Sequence, residues 1–237
     1  MIPQQQLDEL WDFDDPAASE RRLRDVAALA TGSDAAELLT QVARALGLQE
    51  RFGEADDVLR SITDENEAVQ TRIALEHGRV LNSSGRPAEA VPHFASAERL
   101  AAQHGLDFLR IDALHMLAVA DAPHAEQHVI DALRALDGVV DERTLRWGIA
   151  LHNNLGWTYH DAARFDDALV EFEEAHRAAN SVGTEMQRYV ARWAIARCLR
   201  SLGRFAEARD MQEQLLEEDP SDQFVLEELE ALRADET

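Results

Sequence analysis

Five times along this chain a small residue is followed four positions later by a second residue, and three positions after that by a small or apolar one. The sets are Ala55-Leu59-Ile62, Ala90-Phe94-Ala97, Ala125-Val129-Ala132, Ala168-Phe172-Ala175 and Ala208-Gln212-Leu215, the middle member aromatic or aliphatic except at Gln212. Their first members are 35, 35, 43 and 40 residues apart. A spacing of that size marks one structural unit used repeatedly, and such a unit has more apolar surface than it can bury alone, so neighbouring copies must stack. Turn sequences precede most copies: "ERFGEA", "SGRPAEA", "ARFDDA" and "LGRFAEA", with Gly85, Pro87 and Gly203 as breakers. Another helical stretch runs before each turn, such as "LLTQVARALGLQ" or "TRIALEHGRVLNSS". The unit is a pair of helices.

Composition agrees. Hydrophobic residues make up 46% of the 237 positions, enough for a sizeable core, and only 11 glycines and 6 prolines interrupt the chain. Abundant alanine with few β-branched runs favours helix. No window has the length and apolarity of a membrane span, and the amino terminus, MIPQQQLDELWDFDD, is acidic where a secretory signal is basic and then apolar. The expected location is cytoplasmic. A formal charge of −23 repels phosphate backbones and anionic lipid, which argues against nucleic-acid and membrane-surface binding. Every one of the 23 fixed cations is arginine, so any cation in a groove is a planar guanidinium suited to bidentate contacts. Cys198 stands alone at helical spacing and reads as a small buried apolar residue.

The repeat resembles the tetratricopeptide repeat, a helix-turn-helix unit of about 34 residues. Leu155-Gly156, Tyr159, Ala168, Phe172 and Ala175 fall at the family spacing, with His152 where the family often has tryptophan. Gly78, Leu81, Ala90, Phe94 and Ala97 match in an earlier copy, and Pro220 takes the family's proline position in the last, which carries Gln212 in place of the aromatic. A gap-free alignment sets Asp112 at a normally buried leucine position, so the third copy is expected to have a shortened turn around "ADAPHA".

The resemblance implies an all-α fold, a right-handed superhelix (α-solenoid) of tandem helix-turn-helix repeats in a single domain, 1–237. A degenerate repeat covers 2–35, and further repeats cover about 36–69, 71–104, 107–140, 149–182 and 189–222. The acidic stretch 222–235 reads as a solvating cap helix. The first helix of each pair lines the inner wall.

In the fourth repeat the packing ridge is His152, Leu155, Gly156 and Tyr159, so the opposite stripe is Asn153, Trp157 and His160. Carried to the other copies, that stripe gives Thr40 and Arg44, then Arg72, Arg79, Asn82 and Ser83, then His115 or Met116, and finally Trp193, Arg197 and Arg200. The expected ligand-binding set is therefore Arg44, Arg79, Asn82, His115, Asn153, Trp157, His160, Trp193, Arg197 and Arg200. An arginine-lined concavity with two tryptophans suits a carboxylate-bearing peptide or protein segment, held by charged hydrogen bonds. A competing reading pairs the arginines with Glu37, Glu76 or Asp161 and packs Trp157 under the next repeat. Chaperone-tail clamps of this superfamily hold carboxylates with a basic pattern that Val190 and Ala194 break here.

No catalytic set emerges. His124 and His128 share a helical face, but Glu126 is two positions after the first histidine, unlike H-E-x-x-H, and no third metal ligand is obvious. The acids of "FDDA" and "EADD" sit at helix starts, where the dipole accounts for them. "LNSSGRP" is a turn, and no nucleotide-binding motif is present. The expectation is a non-catalytic interaction module for a protein or peptide partner, without cofactor or metal. The alternatives are a regulatory sensor of a small anionic ligand or short signalling peptide, and a structural homo-oligomerisation scaffold joined through Trp11 or Trp147.

Overall fold

The computed structural model describes residues 2 and 4–235, and their regular elements are helical. The chain, read above as one domain, groups into two compact units, Met1–Ala135 and Leu136–Thr237. The first holds α1 (Gln4–Leu10), α2 (Pro16–Ala27), α3 (Gly32–Leu48), α4 (Phe52–Ser61), α5 (Glu67–Ser83), α6 (Pro87–His104), α7 (Asp107–Ala120) and α8 (Ala125–Ala135). The second holds α9 (Glu142–Leu145), α10 (Trp147–Asp161), α11 (Phe165–Val182), α12 (Glu185–Ser201), α13 (Phe205–Glu218) and α14 (Gln223–Asp235). Within each unit every helix packs on its hairpin partner, and first helices also pack on first helices: α3 on α5, α5 on α7, α10 on α12 and α12 on α14. No helix of the described residues is long and apolar enough to cross a membrane.

Four hairpin turns are built alike. Glu50, Gly85, Ala163 and Gly203 each take a left-handed backbone conformation. The arginine that follows, Arg51, Arg86, Arg164 or Arg204, donates its backbone N–H to the carbonyl five residues back, closing the helix end as in a Schellman motif. The same arginine then pairs with an acid three residues on, Glu54, Glu89, Asp167 or Glu207. The α7–α8 connection departs from this pattern. A 3-10 turn, Ala122–His124, runs straight into α8, but Ala113 and Val129 keep the sixteen-residue spacing of the other pairs, so the connection is wound differently and not shortened as expected.

Side-chain size decides how closely the two helices of a pair approach. Gly78 and Gly156 lie against the rings of Phe94 and Phe172, each sixteen residues later. The residues at that spacing elsewhere are Ala43 with Leu59, Ala113 with Val129, and Ala196 with Gln212, all of them buried. Glycine stands where the partner is phenylalanine, and alanine where it is smaller, as close packing requires.

Two further expectations need correction. Asp112 is buried at the apolar position where the alignment placed it, and a salt bridge to Arg79 replaces the missing hydrophobic contact. The acidic tail is more than a solvating cap: Val225, Leu229 and Leu232 of α14 are buried. At the amino end Leu7 of α1 and Leu23 of α2 join Leu38, Val42 and Leu46 of α3 in one core cluster. Cys198 is fully buried, donates to the Phe165 carbonyl at 3.3 Å, and burial pushes its thiol up to about 11.

Candidate functional site

In the first unit the polar face of α3, α5 and α7 is a ladder of charges. Arg72 of α5 donates to Glu37 of α3 at 2.9 Å. Arg79 of α5 donates to Glu76 at 3.1 Å within its own helix and to Asp112 of α7 at 2.5 Å. Burial alone would raise the Asp112 carboxyl, but Arg79 and Arg44 hold it below the usual aspartate range. Burial pushes Glu76 up, with Arg79 and Arg44 acting against it. Half-buried His115 is lowered by burial first, against the pull of Asp112. Arg44 lies 5.5 Å from the ring centres of both Trp11 and Phe13. Those rings stack on each other at 4.9 Å, and the Trp11 indole donates to Gln41 at 3.2 Å. Trp11, expected as a subunit contact in the scaffold alternative, is thus engaged within its own unit. Asn82 is half-buried near the end of α5.

Arg79 was expected to face a ligand. It is instead neutralised by two carboxylates, because desolvating a guanidinium between packed helices demands a counter-charge. The competing reading named Glu37 and Glu76 as acceptors; Asp112, the third, escaped it. Its signal was the one-repeat offset from Arg79 on the neighbouring first helix.

In the second unit the corresponding face is aromatic. Trp157 of α10 meets Phe172 edge-on at 4.8 Å, His160 at 5.2 Å and Trp193 of α12 at 5.9 Å. Trp193 in turn meets Phe224 of α14 at 6.3 Å. Trp157 therefore does pack on the next repeat, as the competing reading had it. A cavity of about 260 Å³ opens beside this row, lined by Tyr189, Val190, Trp193, Asp222 and Phe224. Phe224 is 67% exposed and Val190 45%. Trp193 stands on a well-started helix: Thr184 and Gln187 form a capping box at the head of α12. The Trp193 indole N–H is buried without a hydrogen-bond partner.

One turn along α12, Arg197 pairs with Glu228 of α14 at 2.9 Å, and Arg200 pairs with the same carboxylate at 2.8 Å. Here too an expected groove arginine has an internal partner, although Arg197 shares its acid with a second guanidinium. Glu228, 8% exposed, was missed because its helix was read as a solvating tail. His160 bonds Ser201 at 2.9 Å and is lowered by burial first, then by Arg197. Asn153 is half-buried on α10. Tyr189, Val190 and Phe224 were missed as well; an exposed phenylalanine inside an acidic stretch was the available signal.

Away from these faces, Asp121 contacts both His124 and His128, at 3.0 and 3.1 Å. No group of three or more metal-type ligands arranged to hold an ion is found among the described residues.

Stacked helix pairs with a polar face in one unit and an aromatic one in the other define a helical-repeat protein. Residues 189–222 match the tetratricopeptide repeat model. The chain has the all-α fold of tetratricopeptide-repeat proteins. No curated protein matches it by sequence. Among solved structures it is similar to BtubC from P. vanneervenii, at 17% identity over 88% of this chain and 89% of that one, with a TM-score of 0.65. The apo form of RapI is similar at 13% identity over 98% of this chain and 71% of its own, with a TM-score of 0.77. The apo form of the quorum sensor NprR from B. thuringiensis is similar at 13% identity over 92% and 64%, with a TM-score of 0.60.

Proposed function

We propose that the chain is a non-catalytic interaction module that takes a segment of a partner polypeptide on the α12 face of its second unit. An apolar side chain of that segment enters the cavity beside Trp193 and Phe224, and a carboxylate lies against Arg197 and Arg200. The exposed Phe224 and Val190 at the mouth of that cavity carry the reading, since clustered exposed apolar groups beside polar ones mark interaction sites. The arginines supply the orientation. The Arg197 side chain is 28% exposed while bonded to Glu228, which leaves it accessible to a second carboxylate. Selection from a random peptide library on the immobilised chain tests this, followed by calorimetry of the winners against Trp193→Ala and Arg197→Ala. Winners should combine an aromatic or aliphatic residue with an acidic one or a free carboxyl terminus, and each variant should weaken binding about tenfold or more, roughly 1.4 kcal/mol. Winners without an acid, or affinities untouched by both substitutions, would overturn it.

A regulatory sensor of a short signalling peptide is the second reading, favoured by the fold shared with a quorum sensor. The response of the bound protein separates the two readings: a sensor changes conformation with its peptide, and amide hydrogen exchange across the first helices reads that change.

A further inference from the structure

His160 of α10 is bonded to the α12 face. Its Nε2 lies 2.9 Å from the Ser201 hydroxyl, and that hydroxyl donates to the Arg197 carbonyl at 3.3 Å. A hydroxyl has a single hydrogen, so Ser201 accepts from His160, and Nε2 carries the ring proton. Nδ1 is therefore the atom that titrates. A proton taken up there adds a charge and leaves the Ser201 bond as it is.

That charge arises beside the two arginines of the peptide reading. Ser201 follows Arg197 by four residues, and residues four apart share a helical face. The charges acting on the imidazole are Arg197 and Arg200 of α12, Glu228 of α14 and Asp161 of its own helix. From α11 the uncharged Phe165 ring packs on it, 5.1 Å between centres. Two cations and two anions cancel while the imidazole is neutral, and protonation leaves the set with a net positive charge. Burial, then Arg197, holds the ring below its ordinary 6.5, so it is neutral at pH 7.

We propose that carboxylate capture on the α12 face is proton-linked through His160, so that the face holds an acidic segment more tightly as its surroundings acidify. This rests on the peptide reading above and adds a regulation to it. A carboxylate seated on Arg197 and Arg200 favours the imidazolium, so binding raises the His160 midpoint. Linkage is reciprocal, and protonation therefore raises affinity. The gain is full below the midpoint of the free protein and is lost as pH rises through that of the complex.

The test needs no natural partner. N-acetyl-phenylalanine, ionised at both about pH 5.5 and about pH 7.5, and its uncharged methylamide are titrated into the full chain at those two values. The His160 ring protons are followed by NMR and assigned by their absence from His160→Gln. The carboxylate probe should bind about threefold tighter or more at the lower pH and raise the His160 midpoint, and the methylamide should do neither. His160→Gln, uncharged throughout, should hold the carboxylate probe equally at both values. A pH dependence that persists in His160→Gln belongs to Glu228 and overturns the proposal, as does a His160 midpoint unmoved by the bound probe. Either result leaves the peptide reading standing. No binding of the carboxylate probe at either pH strikes both.

Discussion

Gly156 lies so close to Phe172 that a Cβ built on the glycine would fall 2.6 Å from the ring. Phenylalanine fills the space a side chain at position 156 would need, and helices α10 and α11 close around that contact. Gly156→Ala gains helix propensity of about 1 kcal/mol but forces overpacking of about 1–3 kcal/mol, so the net expectation is loss of stability. Adding Phe172→Leu should recover part of it, since alanine opposite leucine is the combination at Ala43 and Leu59. Urea unfolding of the single and double variants checks both statements; an additive double variant refutes the size coupling.

Gln212 occupies the position that Phe172 fills in the preceding repeat. It is 0% exposed, and neither its side-chain nitrogen nor its oxygen has a hydrogen-bond partner. A buried amide left unpaired costs about 1–3 kcal/mol, which Gln212→Leu removes at similar volume. The midpoint of thermal unfolding should rise. Gln212→Phe should fail to stabilise, because Ala196 stands where the phenylalanine-bearing repeats have glycine.

Arg79 and Asp112 form a largely buried ion pair; removing Arg79 strands the Asp112 carboxylate, whereas removing Asp112 leaves Arg79 its bond to Glu76. Arg79→Met is expected to cost about 3–5 kcal/mol and Asp112→Leu less, with the double variant below their sum. A double-mutant cycle in denaturant measures the coupling. Near-additive costs would mean the pair does not hold α5 to α7.

Two carboxyls of the same network respond to pH in opposite senses. Asp112 is held below its ordinary 3.8, so its contribution is present above that value and lost as pH falls through the folded one. Glu76 is raised above its ordinary 4.5, so its contribution is full below 4.5 and is lost as pH rises through the folded value. Glu76→Gln should therefore gain stability relative to the unaltered protein between pH 4.5 and neutrality. An unchanged difference across that window, measured by urea unfolding, counts against the Glu76 assignment.

The repeat was legible because it is local. Ala90 to Phe94, or Gly156 to Tyr159, is a spacing within one helix, and every copy repeats it. The turns were legible for the same reason, since Gly85 and Gly203 mark left-handed positions in the sequence; Ala163, in that conformation without being glycine, gave no such mark. The stripe of candidate residues does lie on the first helices. Its internal pairing was not legible: nothing local in the sequence joins Arg79 to Asp112 or Arg197 to Glu228, and Asp112 looked like a misplaced leucine.

What the chain alone determined is periodicity, because helix register depends on neighbours three and four residues away. Which charges cancel was decided only when α7 packed on α5 and α14 on α12. Those contacts join residues separated by 33 and 31 positions, Arg79 with Asp112 and Arg197 with Glu228. Desolvation between packed helices chooses such partners, and it acts only once the helices meet.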